Sequence, residues 1–235
     1  NAAYNVMGAS KFGIEAGELN IDFQKVHDHV HKVIDAIAHN DSVERFEGLG
    51  VRVIEARGRF VGPTEVQADD TIVKAKRVVV STGSKTDTPL IEGLDTVPYL
   101  TNKTIFDLVK KPPKLLIIGG GTIGSELGQA HRRLGCEVTI LEIEKMLNNE
   151  DPELSEIVRM RMLREGVVIR EKIEILGVTR DADGITIKIS ENETEEYVKG
   201  SDLLVVSGRV PDLADLNLDV AGIEYTERGI KVDDR

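Results

Sequence analysis

The chain has 235 residues, of which 40% are hydrophobic and 30% are charged, a composition typical of a globular protein. Its formal net charge is -11, which argues against a nucleic-acid partner because phosphate backbones are bound by clustered Lys and Arg. The longest apolar runs have the length of a strand, so we expect no membrane span.

The first periodic segment, residues 22–39, has apolar side chains at helical spacing and predicts a helix. This helix carries His27, His29 and His31, and His27 and His31 share a face because they are four positions apart. No acid or cysteine cluster completes a ligand set around them, so we predict a solvated helix face and no metal site.

After Gly50 the pattern changes to short β-branched stretches separated by turn residues. These stretches predict a small antiparallel meander that leads into one buried strand over residues 77–81. In chain order they read VRVIEA, GRF, TEVQA, TIVKA and RVVVSTG.

From Lys114 the order becomes β-α-β. The pattern predicts a strand over 115–118, a helix to about Leu134 and a strand over 137–141. A further helix near 152–165 precedes VVIR, a second meander (IEILGVTR, ITIKIS, EEYVK) and a last buried strand, DLLVVSG, that ends at Gly208. The alternation predicts the α/β fold class.

The single cysteine, Cys136, lies where the helix that ends near Leu134 gives way to a strand. One cysteine forms neither an internal disulfide nor a CxxC metal pair. We interpret Cys136 as a small buried apolar residue, and we expect a reduced, cytoplasmic setting.

Gly119, Gly121 and Gly124 fit G-x-G-x-x-G between a predicted strand and a predicted helix, the context in which this motif indicates a dinucleotide site. The first glycine permits the tight turn, the second lets the backbone approach a pyrophosphate, and the third lets the helix pack against the strand. The N–H groups of the helix N-terminus, with Thr122 and Ile123, would then face the phosphates.

Glu142 ends the second strand about twenty residues after the glycines, where an acid accepts hydrogen bonds from the adenosine ribose. A 2'-phosphate would meet like charge there, so we favour NAD over NADP. Lys145, three residues after Glu142, carries the opposite charge, so NADP remains an alternative.

Four stretches in this order resemble the pyridine nucleotide–disulfide oxidoreductases: VVVSTGSKTDTPLIEGLD, YLTNKTIFDL, LLIIGGGTIGSELG and LLVVSGRVPDLADLNLDVAGIE. The resemblance implies a Rossmann-like FAD/NAD(P)-binding fold in which a complete NAD(P)-binding domain is inserted in a partial FAD-binding domain. It assigns residues 1–112 to the FAD-binding domain, 113–208 to the NAD-binding domain and 209–235 to the return segment of the FAD-binding domain.

The resemblance also implies roles for single residues. Ser81, Thr82 and Gly83 match the family's ATGS turn against FAD, and Gly58 matches a stretch whose backbone meets the FAD adenine. Glu126 matches a catalytic carboxylate near the nicotinamide and flavin, where it pairs with a lysine of the redox-cysteine helix.

Near the end of the inserted domain, Gly208 begins the GRVP stretch that matches the return into the FAD-binding domain, and we count it with the NAD residues. At the helix start, Thr122 stands where some family members place a larger side chain over the nicotinamide pocket.

Several parts of the family pattern have no match in the sequence. The first GxGxxG, the C-x4-C redox pair, the second FAD segment and the catalytic His of the C-terminal domain are missing. We therefore expect the chain to be an internal fragment of a longer enzyme.

The resemblance implies hydride transfer from NADH to FAD and on to a small disulfide or a metal-ion acceptor, of the dihydrolipoamide dehydrogenase or mercuric reductase type. The full-length protein is expected to be a homodimer. Two alternatives stay open: a non-catalytic NAD-binding module, and an NADH:flavin oxidase or diaphorase without redox cysteines.

Overall fold

The computed structural model describes residues 2–233, which divide into two compact units. The first unit comprises residues 2–31 and 87–208, and the second comprises residues 32–86 and 209–233. Five α-helices are described: α1 (Ala2–Gly8), α2 (Phe23–Ala38), α3 (Val43–Gly48), α4 (Thr122–Arg133) and α5 (Pro152–Arg164).

The strands of the described residues fall into five small sheets. In chain order they are β1 (Gly58–Gly62), β2 (Glu65–Ala68), β3 (Thr71–Lys74), β4 (Ser84–Thr86), β5 (Lys114–Ile118), β6 (Glu137–Glu142), β7 (Val168–Glu171), β8 (Glu174–Asp181), β9 (Gly184–Glu191), β10 (Thr194–Gly200), β11 (Asp202–Val205), β12 (Arg209–Pro211), β13 (Tyr225–Thr226) and β14 (Gly229–Ile230).

A four-stranded parallel sheet in the order β11-β5-β6-β7 forms the centre of the first unit. Strand β5 reads KLLII, and its residues from Leu115 to Ile118 are all buried. A strand buried on both faces is continuously apolar, as in parallel sheets covered on both sides. The α/β fold class is therefore confirmed, together with the β-α-β order β5-α4-β6.

The two faces of this sheet contribute to two separate apolar clusters. Leu116 and Ile118 pack with residues of the antiparallel sheet β10-β9-β8, including Ile187 and Ile189. Leu115 and Ile117 pack with Met162 of α5 and with Cys136. Cys136 is fully buried, as expected, and burial raises the pKa of its thiol to about 11, so it is a poor nucleophile.

The second unit contains the predicted meander as the antiparallel sheet β1-β2-β3. Its C-terminal segment joins by backbone pairing: β12 pairs with β4, and the N–H of Phe60 donates to the carbonyl of Leu216 at 2.9 Å. The side chain of Asn217 donates to the Phe60 carbonyl at 3.0 Å. Residues 209–233 are thereby tied to a meander far away in sequence.

Two predicted strands are wrong: residues 51–56 and the buried strand over 77–81 form no ladder in the described part of the chain. Val79 is 86% exposed, although it lies in the apolar run VVV. β-branched residues favour an extended backbone, but a strand exists only when a neighbour accepts and donates its ladder hydrogen bonds. Neither stretch has such a neighbour among residues 2–233.

The predicted first helix is confirmed as α2. The rings of His27 and His31 lie with their centroids 4.2 Å apart, and the His31 ring contacts the Phe106 carbonyl oxygen at 3.2 Å. Among residues 2–233, no three His, Cys, Asp or Glu side chains gather as a metal-binding set. Within the same residues, no helix is both long and apolar enough to cross a bilayer.

An ion-pair cluster joins the C-terminal ends of α4 and α5. Arg133 donates to both carboxylate oxygens of Glu165, at 2.7 and 2.8 Å, and Arg161 donates to Glu165 at 2.6 Å. The Glu165 side chain is only 9% exposed. The hydrogen bond from Arg133 lowers the pKa of Glu165 below its ordinary value of 4.5, with a smaller contribution from Arg161.

We predict that this cluster makes stability depend on acid pH. Because the pKa of Glu165 is lowered on folding, its contribution is present above pH 4.5 and is lost as the pH falls through the folded value. Glu165→Gln should lower the free energy of unfolding by about 1–3 kcal/mol at pH 7 and by less at pH 3, measured by urea unfolding. A loss that is equal at both pH values would contradict the assignment.

Candidate dinucleotide site

The glycine-rich turn after β5 brings the chain against the end of the sheet. Gly119 has φ +112, which L-residues with a side chain rarely adopt, and a Cβ atom there would lie 2.5 Å from the carbonyl oxygen of Val206. A Cβ atom at Gly124 would overlap the carbonyl oxygen of Gly119. The motif therefore lets the first turn of α4 sit directly on the turn that precedes it.

Gly121 differs from these two glycines because no atom lies within 4 Å of the position of its Cβ. It is the N-cap residue of α4 and makes no side-chain capping bond, while its carbonyl accepts from the N–H of Ser125 at 2.9 Å. The first N–H groups of a helix have no intrahelical acceptors, and this helix end carries partial positive charge. The open space beside Gly121 therefore suits an anionic group.

Glu142 lies at the carboxyl end of β6, beside this turn. One carboxylate oxygen accepts from the N–H of Gly120 at 2.5 Å, and the other accepts from the N–H of Glu144 at 2.9 Å. An ionised carboxylate has about four acceptor positions, so both oxygens can still bind ligand hydroxyls. The structure thus brings Glu142 to the glycine turn, as the spacing predicts.

Three residues that sequence reasoning missed also shape the turn. A side chain on Gly120 would press on the Glu142 side chain, with its Cβ atom 3.1 Å from that of Glu142. Ser125 is buried, and its hydroxyl donates to the Gly121 carbonyl at 2.8 Å. The N–H of Leu147 donates to the Gly120 carbonyl at 3.0 Å. The run GGG could have indicated a role for Gly120, whereas no sequence motif indicates the hydrogen bonds of Ser125 and Leu147.

A cavity of about 560 Å³ opens from this turn along the carboxyl ends of the parallel strands. Ligands of open α/β sheets bind in this position. Its wall combines glycines and charged or polar side chains with apolar side chains. Its lining includes Gly119, Gly121, Glu142, Glu144, Lys145, Asn148, Ile91, Ile118, Leu147, Ile173, Ile175 and Ser207.

The other residues predicted for this site lie on α4 and at the end of the first unit. Thr122 and Ile123 form the first turn of α4, and Glu126 is exposed one turn further on. The Glu126 side chain makes no hydrogen bond or ion pair with any described residue. The carbonyl of Gly208 accepts from the N–H of Asp87 at 3.0 Å.

The residues predicted for FAD lie in the second unit. Ser81, Thr82 and Gly83 are exposed, and Gly83 has φ +71 in the turn before β4. The Gly83 carbonyl accepts from the N–H of Asp212 at 3.1 Å, which ties this turn to the segment after β12. Gly58 begins β1, where its Cβ would lie 3.3 Å from Val66.

Comparison with known proteins connects this geometry to a family. The profile of the family "Pyridine nucleotide-disulphide oxidoreductase" matches residues 5–235. A mercuric reductase of Bacillus cereus is 31% identical over 94% of this chain, and a dihydrolipoyl dehydrogenase of Cupriavidus necator is 30% identical over 94%. The chain spans 36% and 48% of the lengths of these two relatives.

A solved structure shares the fold. It is the HOCl-induced flavoprotein disulfide reductase RclA of Escherichia coli, which matches 97% of this chain and 51% of its own with a TM-score of 0.78 and 24% identity. The Rossmann-like FAD/NAD(P)-binding fold expected from the sequence is therefore confirmed. With a family match over nearly the whole sequence and a glycine turn that sits against the end of a parallel sheet, the chain belongs to the pyridine nucleotide–disulfide oxidoreductases.

Proposed function

We propose that the chain is the nucleotide-binding part of an FAD-dependent oxidoreductase that takes hydride from NADH and passes electrons to a disulfide or metal-ion acceptor. The observation that carries this proposal is the cavity that joins the open position at Gly121 to the carboxylate of Glu142. A helix N-terminus suits the pyrophosphate of a dinucleotide, and an acid lining the same cavity suits the hydroxyls of its adenosine ribose.

The chain's own residues would bind and orient the dinucleotide. Gly119 and Gly124 let α4 lie against the strand end, and the Ser125 hydroxyl bonds to the Gly121 carbonyl. The N–H groups at Gly121, Thr122 and Ile123 would face the pyrophosphate. When bound, the nicotinamide and flavin supply hydride transfer, which the protein directs by position.

The charges near the ribose position support NAD over NADP. Glu142 and Glu144 both line the cavity, and both would repel a 2'-phosphate. Lys145 lines it too, but it is one cation beside two carboxylates. NADH is therefore the proposed electron donor, with NADPH used less well.

The remaining assignments rest on the family resemblance and stay proposals. Ser81 to Gly83 and Gly58 would face FAD, which the exposed backbone of the 81–83 turn permits. Glu126 would act beside the nicotinamide, and its exposed, unpartnered carboxylate on α4 is free to do so. The FAD-binding domain would comprise residues 1–112 and 209–235, and the NAD-binding domain residues 113–208, including Gly208.

The acceptor and setting are proposed by the same reasoning. Mercuric reductases and dihydrolipoyl dehydrogenases among the relatives favour a metal ion or a small disulfide as acceptor. The single cysteine, buried and unpaired, fits a cytoplasmic protein. A homodimer is proposed for the full-length protein by analogy with the family.

A second candidate is an NADH:flavin diaphorase, favoured by the burial of Cys136, which leaves no exposed thiol in the described residues. Alkylation of the full-length protein after reduction by NADH separates the two. We expect iodoacetamide to abolish NADH-dependent reduction of a disulfide or Hg²⁺ while dye reduction survives, because redox cysteines would lie outside this chain and Cys136 is inaccessible. Dye reduction that survives alkylation, with no reduction of a disulfide or Hg²⁺ even before alkylation, would favour the diaphorase.

The nucleotide site is tested by Gly121→Val. The branched side chain would fill the open space beside the α4 N-terminus without touching the core, so NADH binding should weaken by about a hundredfold or more while the melting temperature changes little. Gly17→Val is the matched control, because Gly17 is also open and lies outside the cavity. Binding by the Gly121 variant with unchanged affinity, measured by NADH fluorescence titration, would place the phosphates elsewhere.

The role of Glu142 is tested by two substitutions. Glu142→Gln keeps an acceptor for the Gly120 N–H and removes the charge, so the preference for NADH over NADPH should fall by about tenfold. Glu142→Arg should reverse the preference. Glu137→Gln, at the other end of β6, is the control and should leave it unaltered. Equal preference ratios in all four proteins would refute the ribose assignment.

A further inference from the structure

The outward face of α5 carries four residues at a regular spacing: Glu153, Ile157, Met160 and Arg164. Steps of four, three and four residues place them in one line along the helix, as the a and d positions of a coiled coil are placed. The buried residues Ser155 and Met162 occupy the opposite side of the same helix. We call these four residues the α5 stripe.

The middle of the α5 stripe is apolar and faces solvent. Ile157 is 66% exposed and Met160 is 39% exposed. Both line a shallow depression of about 840 Å³ that follows the helix from Pro152 to Arg164. An outward helix face normally carries polar side chains, so a pair of exposed apolar residues at its centre is compatible with a covered surface.

The ends of the α5 stripe carry opposite charges without local partners. Within residues 2–233, neither Glu153 nor Arg164 has a side-chain hydrogen bond or ion pair. The neighbouring charges differ in this respect, because Arg161 is engaged by Glu165 and by the hydroxyl of Tyr4. Glu153 and Arg164 are about 16 Å apart along the axis, too far to pair with each other.

The α5 stripe reads acid, apolar, apolar, base, and this order is self-complementary when the helix meets an antiparallel copy of itself. Glu153 then lies opposite Arg164 of the second copy, and Ile157 lies opposite Met160 of the second copy. A two-fold axis repeats each contact, so one interface contains two ion pairs and two apolar pairs. Among the described residues, no hydrogen bond or ion pair engages the side chains of Glu153 and Arg164.

We propose that the α5 stripe is a self-association surface, on which α5 packs antiparallel against α5 of a second copy of this chain. One helix pair is smaller than a standard stable interface, so association through it is weak, with a dissociation constant of about 10 μM or above. The family resemblance implies a homodimer whose contacts lie mostly in the C-terminal part that this chain lacks, and the proposed association through α5 is an additional contact. It does not depend on the proposed redox function.

Charge reversal tests the proposal on the full-length protein by sedimentation velocity over a range of concentrations. The wild type should show a concentration-dependent increase in mass beyond that of the homodimer. Glu153→Arg should weaken this step by about tenfold or more, because it places two arginines opposite each other, and Arg164→Glu should do the same with two carboxylates. The double variant Glu153→Arg with Arg164→Glu should restore it. Glu47→Arg on α3 has the same charge change away from the stripe and should leave association unaltered.

Disulfide trapping tests the register. A mixture of the Ile157→Cys and Met160→Cys variants should form a 157–160 crosslink between copies more than either variant alone, and Cys136 is too buried to interfere. Mass that does not increase with concentration, a double variant that stays dissociated, or equal trapping in all three samples would overturn the proposal. Loss of association in the Glu153 variant with unchanged NADH binding would separate this surface from the nucleotide site.

Discussion

The structure of the first unit depends on how closely α4 approaches the turn that follows β5. At Gly124 the helix backbone lies so near the Gly119 carbonyl that any side chain would overlap it. This contact sets the helix N-terminus directly beyond the carboxyl edge of the parallel sheet, where Gly121 lines the cavity. The position of Glu142 relative to those groups follows, because β6 is the strand next to β5.

The structural contacts of Glu142 bear directly on the binding role that we propose for it. Its carboxylate accepts hydrogen bonds from the N–H of Gly120 in the turn and from the N–H of Glu144 in the loop. These bonds join the two segments that form one wall of the cavity. A ligand hydroxyl would meet an acceptor that is already held in place. Preorganisation of this kind reduces the entropy lost on binding. The same hydrogen bonds mean that replacing Glu142 alters the wall as well as the charge.

Helix α5 has one side in the apolar cluster of the first unit and carries the α5 stripe on the other side. Met162 fills the apolar cluster beneath the sheet, while Glu153, Ile157, Met160 and Arg164 stand on the solvent side. The sequence of α5 is weakly amphipathic because apolar residues occur on both of its sides, which is unusual for a helix with one face in water. A second helix on the outer face resolves this conflict, whereas intramolecular packing among the described residues does not.

The sequence alone determined the β-α-β order, the glycine turn and the acid at the end of β6, because these depend on local periodicity and fixed spacing. The burial of Cys136 followed from the same pattern. Only the tertiary structure decided that residues 51–56 and 77–81 form no ladder, since a strand needs a neighbour that local sequence does not specify. It also decided that Leu147 holds the turn, because its hydrogen bond to the Gly120 carbonyl joins chain segments that meet only after folding.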